Sequence, residues 1–568
     1  MLSAVKEIGN LVAQPTLKIE GKIIFLVLCS DFSFKGIEIE DFIPEKIDRY
    51  LYKPGESKGN RPSPFAPINR KEPEKSFEKI AKWLKNSEKI INLTEQELDK
   101  VKKINDTLQR EKVKILQVIS NKSKEISKKT SLFLGLKIGD KYLGDFDLFK
   151  NIFNLKISQR IGKSSSRDKT CSICGEVKDT VSARTYVYQF DTDDKPGFIT
   201  GFKKENYWKN IPVCQDCRDL LQRGRNFIED KLTFKFYGLK YQLIPKFLLG
   251  GQDIIKEILD ILSDTHKNIS LKERKINRLT DDEQEILEYI SEKEDALTLN
   301  FLFLRRQQSA ERILLLIEDV FPSRLREIFN AKRYVDELFN EEFNFGKIRV
   351  FFSKSDDEKR ETDLDKYFLE IVNSVFKDKK IDFNFLLKFF MNGIRKDFIN
   401  DNFYKLKIRD AMMCVSFFEN LGLIKFKEVP MEQNIFEEVF NKYGKSLNTP
   451  EKRGIFLLGA LTQMLLNKQY SERESKPFMK KLKSLKMDEK DIKALLPEVQ
   501  NKLEEYEAFD KGKRLIAQEA SKYLLQAGDG WKMSVYEINF YFACGMNMSE
   551  EVAKIVYRIS PSVEDEKK

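Results

Sequence analysis

Histidine is almost missing from this chain: one occurs in 568 residues, His266, in the polar stretch LSDTHKN. A Ser-His-Asp or Cys-His catalytic device would have to use it, and a His-rich metal nuclease or an HD phosphohydrolase cannot be built. His266 reads as an exposed loop residue. Cysteine is also sparse, at seven, where a secreted disulfide scaffold would be denser, so a reducing cytoplasm fits. Long apolar runs are missing too. Ile23–Cys29 and Ile313–Ile317 fall far below the roughly 18 residues that span a bilayer, and MLSAVKEIGN lacks the charged-then-apolar pattern of a signal peptide. The expected protein is soluble and cytoplasmic.

Disorder over most of the chain is excluded by what is present: 41% hydrophobic residues, with 44 Phe and 19 Tyr. The formal charge of +11 is modest for the length, but it is unevenly spread. Residues 101–130 hold nine Lys/Arg against three Asp/Glu, and residues 475–487 (SKPFMKKLKSLKM) hold five Lys and no acid. Local basic fields attract phosphate and steer polyanions.

The chain is too long for one core. The expected fold is mainly α with an α+β N-terminal portion, a zinc-knuckle insertion and a C-terminal helical bundle. Four segments are expected. Residues 1–130 hold a strand at Lys22–Cys29, a Pro-rich loop at 53–73, and a helix opened by the capping box Thr94/Glu97 with Leu93 and Leu98 as a staple. Residues 131–250 are mixed α/β. Residues 251–445 read as helical, for example in Arg305–Val320 and Leu364–Phe376. Residues 446–568 form the bundle, with Thr449-Pro450 at a helix start and Ser534/Glu537 as a second capping box.

The strongest chemical signal is Cys171-Ser-Ile-Cys174-Gly followed by Cys214-Gln-Asp-Cys217, with 39 residues between Cys174 and Cys214. Two residues between cysteines let both thiolates of a pair reach one ion, and two such knuckles supply the four soft ligands of a structural zinc. A redox dithiol needs only one pair inside a βαβ unit, and an iron–sulfur cluster is the remaining metal alternative. Cys29, Cys414 and Cys544 read as core cysteines. Between the knuckles, Asp191, Asp193 and Lys195 could be half of a metal-dependent nuclease site, although a hairpin turn ending in Pro-Gly explains them more simply. The loop RIGKSSSRDK offers Arg160, Lys163, Arg167 and Lys169 to phosphate. Lys203 and Lys204 sit among Phe, Tyr and Trp208, a mixture suited to a nucleic-acid groove or to an ordinary packed strand. Near the C-terminus, Phe478, Leu482 and Leu485 fall on one helical face, opposite a lysine stripe.

The order CSICG, YVYQFDTDDKPGFITGF and WKNIPVCQDC resembles the CxxC–CxxC region of the large subunit of type I-B CRISPR Cascade complexes. The run GIFLLGALTQMLLNKQ, KPFMKKLKSLKMDEKDI and YLLQAGDGWKMSVYEINFYFACGMNMS is similar to the end of the same family, so the resemblance spans most of residues 130–568. It implies a non-catalytic subunit that binds the crRNA handle region and double-stranded target DNA. Such a subunit helps recognise the protospacer-adjacent motif and stabilises the R-loop, while guide RNA reads sequence by pairing. It also implies backbone, handle-binding and small Cascade subunits as partners, and a helicase-nuclease recruited on target binding. Cys171, Cys174, Cys214 and Cys217 correspond to the family's zinc-type ligands. The C-terminal unit resembles the small subunit lining the displaced strand, which implies that Lys480, Lys481, Lys483 and Lys486 lie near DNA. Met431 is suitably placed for internal initiation of a free small subunit.

Overall fold

The computed structural model describes residues 1–12, 21–52, 63–88, 93–127, 130–162, 165–183, 187–188, 203–248, 259, 297–307, 310–352, 364–400, 403–427 and 431–559. The chain divides into two compact units, Met1–Thr233 with Leu304–Ile313, and Phe234–Phe303 with Leu314–Lys568. The chain is mainly helical, with an α+β N-terminal portion and a helical C-terminal region.

In the first unit, helix α1 (Leu2–Leu11) precedes strands β1 (Gly21–Leu28) and β2 (Phe34–Asp41), a short β3 (Ala66–Pro67), and helices α2 (Pro73–Ser87), α3 (Glu95–Arg110) and α4 (Lys112–Glu125). Strands β4 (Ser131–Ile138) and β5 (Lys141–Tyr142) and helix α5 (Asp147–Gly162) follow. The sheet runs β2-β1-β4-β3, with β5 on β4. β1 and β4 are parallel, and the helices supply the crossover that parallel neighbours need. KIIFLVL is apolar at every position after its lysine because both faces of β1 are covered. Ile24, Leu26 and Leu28 meet Phe77, Leu84, Ile104 and Ile119 of the helices. Ile23, Phe25 and Val27 meet Phe42, Tyr50, Phe65 and Phe133.

The capping box forms as expected: Thr94 N donates to Glu97 Oε2 at 2.9 Å and Glu97 N to Thr94 Oγ1 at 3.3 Å. The stripe from Leu98 to Ile119 is carried by two helices, since Glu111 leaves helical geometry between α3 and α4. Arg70 closes the end of α4 by donating to the carbonyls of Ser123, Ile126, Ser127 and Thr130 at 2.7–2.8 Å.

Four two-residue strands follow, β6 (Ser165–Ser166), β7 (Lys169–Thr170), β8 (Val177–Lys178) and β9 (Val181–Ser182), and then helix α6 (Gln215–Lys231). α1 packs on α6 through glycines at close range. A Cβ on Gly9 would lie 1.8 Å from Leu220 O, and one on Gly224 would lie 1.9 Å from Val5 O.

The sheet β10 (Thr233–Phe236), β11 (Leu239–Phe247), β12 (Leu297–Gln307) and β13 (Ala310–Val320), paired in that order, belongs mostly to the second unit, while its residues 304–313 group with the first. Arg305–Val320 is therefore part of a β-hairpin, a correction to the helical reading. Asp319 adopts φ +53°, which interrupts the regular strand between the buried Ile317 and the buried Val320. An apolar spacing of three residues thereby imitates a helix. Asp319 is held there by Thr298 and Lys246, at 2.9 and 2.8 Å. Helices α7 (Pro322–Phe339), α8 (Asp365–Phe376), α9 (Phe383–Ile399) and α10 (Tyr404–Asn420) come next. Leu364–Phe376 is thus helical from Asp365, as expected.

The C-terminal bundle comprises α11 (Pro450–Arg473), α12 (Glu489–Glu505), α13 (Lys511–Ala527), α14 (Val535–Asn547) and α15 (Ser549–Ile559). α11 begins at the expected Thr449-Pro450 and buries Leu457, Leu461 and Leu465. At Ser534 only half the capping box forms: Ser534 accepts from Glu537 N, while the Glu537 carboxylate instead pairs with Lys452 at 3.2 Å. α11 and α14 cross through glycines, where a Cβ on Gly459 would lie 2.1 Å from Phe542 O and one on Gly545 1.9 Å from Phe456 O. Gly545→Ala must push the helices apart, and it is expected to cost about 2–4 kcal/mol. Denaturant unfolding of the full chain would read this as a lower midpoint, and an unchanged midpoint would contradict the crossing.

Candidate metal centre and nucleic-acid surfaces

The four knuckle cysteines converge. Ligand atoms of Cys171, Cys174, Cys214 and Cys217 all lie within 4.8 Å of one another, with three of the residues buried and Cys174 half-buried. The first knuckle is the tip of the β7–β8 hairpin, where Lys169 pairs with Lys178 and Thr170 with Val177. Gly175 allows the turn by adopting φ +76°, and its N–H donates to Cys171 O at 2.9 Å. The second knuckle starts α6, with Cys214 at the N-cap and Cys217 in the first turn. Backbone bonds hold the two together: Ser172 N donates to Pro212 O at 2.7 Å, and Ser182 and Val213 exchange bonds of 3.0 and 3.1 Å.

Burial pushes the Cys171 thiol up, but backbone N–H groups of Cys174, Cys214 and Ile173 donate to its sulfur and bring it down to about 7. Cys214 N lies 3.3 Å from that sulfur. Burial and the neighbouring sulfurs push Cys217 well up, and burial also raises Cys214. Four thiolates this close repel one another unless a cation sits among them, and all-sulfur tetrahedral donation suits zinc. The donor set therefore fits the ion expected from spacing. Four protein ligands leave no coordination position for substrate.

Behind α6, Arg225 Nη2 meets Glu311 Oε1 at 2.5 Å with both side chains buried, and the guanidinium carbon lies 4.1 Å from the centre of the Tyr188 ring. Arg306 pairs with Glu229 on the same helix. These ion pairs tie residues 304–313 to the helix that carries the second knuckle.

Beside the cysteines lies a basic, aromatic strip. Arg167, Lys169 and Lys203 are exposed. The short 3₁₀ segment Lys204–Lys209 places Trp208 against Lys169, whose Nζ is 6.0 Å from the ring centre, and Lys209 is 5.9 Å away. Residues 160–169 are not one loop, as expected from their composition, because α5 runs to Gly162 and β6 and β7 follow. The side chains of Arg160 and Lys204, and all of Lys163, Asp191, Asp193, Lys195 and His266, lie outside the described residues.

In the second unit, Phe478, Leu482 and Leu485 are buried as expected. Their segment, Pro477–Leu485, is not a regular α-helix. It is 3₁₀ and kinks where Lys483, Ser484 and Leu485 all take left-handed φ values of 45°, 53° and 59°. Three such residues cost roughly 1–2 kcal/mol each. Surrounding bonds hold them: Arg395 Nε donates to Leu485 O at 2.8 Å, and the buried Asn539 side chain accepts from Met487 N at 3.1 Å and donates to Met487 O at 2.8 Å. Lys480, Lys481, Lys483 and Lys486 are all exposed. Two carry acidic partners from α12, with Lys481 3.2 Å from Glu498 and Lys483 paired with Asp491. Among the described residues, no ion pair involves Lys480 or Lys486.

Models of the N-terminal, central and C-terminal domains of CRISPR-associated protein TM1802 match residues 1–154, 168–320 and 343–558. The chain belongs to this family. The central-domain match contains both knuckles, and the C-terminal match contains the strained lysine turn. Comparison with curated proteins finds no match. No described helix of this TM1802-family chain is long and apolar enough to cross a membrane.

If the cysteines hold one zinc, metal binding must displace protons from the raised thiols of Cys214 and Cys217, so affinity falls as pH is lowered. Zinc titration of metal-free chain should release protons, and Cys214→Ser should fail to retain the ion. Uptake unaffected by pH and by the substitution would place the metal elsewhere.

Proposed function

We propose that this chain is the non-catalytic large subunit of a type I-B Cascade effector. In this reading it binds the crRNA handle region and double-stranded target DNA, takes part in protospacer-adjacent-motif recognition, and stabilises the R-loop by holding the displaced strand. The three-domain family match along the chain is the observation that carries the reading. Its partners are the backbone, handle-binding and small subunits of the complex, with a helicase-nuclease arriving after target binding.

The chemistry agrees with that role. A closed four-sulfur site suits a fold-holding ion and not a reacting one. The cations lie in exposed strips on separate elements, an arrangement that suits tracking a phosphate backbone. In this role Lys169, Lys203 and Arg167 would contact polynucleotide beside the metal centre, as would Lys480 and Lys486 in the bundle.

Co-expression with its operon neighbours should yield crRNA and the other subunits on the same affinity-purified complex. Recovery of the chain alone, without RNA, would contradict the assignment. Within that complex, Lys480→Glu with Lys486→Glu should weaken target binding equally across sequences, and it should lower the log–log salt slope by about 2. An unaltered slope would make these lysines ordinary surface.

A further inference from the structure

The loop between α13 and α14 is built around Trp531. Gly528 and Gly530 take φ +61° and +79°, and a Cβ on either would meet nothing within 4 Å, so the backbone conformation, not crowding, calls for glycine. The N–H groups of Gly530 and Trp531 donate to the Glu489 carboxylate at 3.1 and 2.9 Å, and the indole Nε1 donates to Gly528 O at 3.0 Å. Lys493 donates to Gly528 O at 2.7 Å and sits 5.1 Å from the ring centre. The polar handles of the tryptophan are thus spent on fixing it, while its ring stays half-exposed, unlike the buried Trp83.

The same helix end anchors the lysine turn. Glu489 holds the Trp531 amide and Asp491, two residues on, holds Lys483, so the indole loop and the strained turn share the first turn of α12. The acids there are already engaged: Glu489 and Asp529 with Lys493, Asp491 with Lys483, and Asp488 with the Asp491 amide. Lys486, Lys490 and Lys532 remain exposed, and no ion pair involves them among the described residues.

We propose that Trp531 is a stacking platform for an unpaired base of a single-stranded polynucleotide, with Lys486, Lys490 and Lys532 receiving the flanking phosphates. Only the polymer class rests on the proposed function; the platform rests on the fixed indole and its unpaired cations. An aromatic face accepts any base, so the contact would be tolerant of sequence. A strand displaced from a duplex has such bases, whereas an intact duplex does not.

The test uses the full chain, oligothymidine, oligouridine and an abasic oligomer of equal length. Wild type should bind the base-bearing oligomers about tenfold more tightly than the abasic one. Trp531→Ala should lose that preference, Trp531→Phe should keep part of it, and Lys486→Glu with Lys490→Glu should weaken all three oligomers together. If wild type shows no preference for bases, or if Trp531→Ala retains it at unchanged helical content, the platform is wrong while the Cascade role stands. Wild type that binds none of the oligomers, and carries no crRNA when co-expressed, would overturn both.

Discussion

Four sulfurs within 4.8 Å of one another are the constraint on which the first unit is organised. Thiolates at that spacing need a cation, and one ion there would connect the β7–β8 hairpin to the start of α6. The loop joining the knuckles could be long because closing it costs only slowly more with length. α6 in turn carries most of what surrounds it. α1 lies on it at glycine distance, and Arg225 draws in Glu311 and Tyr188. A buried ion pair of this kind contributes little net stability when intact, yet breaking it leaves an uncompensated charge. It therefore fixes which segment sits against α6 more than it adds to the total.

The second unit solves its problems with packing and hydrogen bonds. Glycines let α11 and α14 approach until backbone meets backbone, and buried side chains such as Asn539 and Arg395 satisfy the chain where it departs from regular geometry. The departure matters because it falls in the most basic stretch of the bundle. A left-handed turn at Lys483–Leu485 is costly, and it persists because three buried apolar residues and two buried polar ones hold it.

Much of this was legible in the residues themselves. The capping box at Thr94, the strand after Lys22, the Pro start of α11 and the convergence of two CxxC pairs all follow from local chemistry. The failures have equally local causes. Ile317 and Val320 are both buried, with a left-handed Asp319 between them, and that conformation leaves no trace in the spacing of apolar residues. The lysine stripe reads as free of acids because its partners, Glu498 and Asp491, lie on the next helix. The setting of Trp531 depends on Glu489 and Lys493, about 40 residues earlier in the chain, so its sequence neighbours do not mark it as a site. Contacts between segments, not propensities within them, were what a single sequence withheld.

The proposed division of labour is between an ion that would hold shape and cations that would meet polyanions. X-ray absorption at the zinc edge of the purified full chain tests the first half directly. The account predicts a shell of four sulfurs at about 2.3 Å with no lighter neighbour. A water or other oxygen in that shell would mean an open position on the metal, and would contradict a purely structural centre.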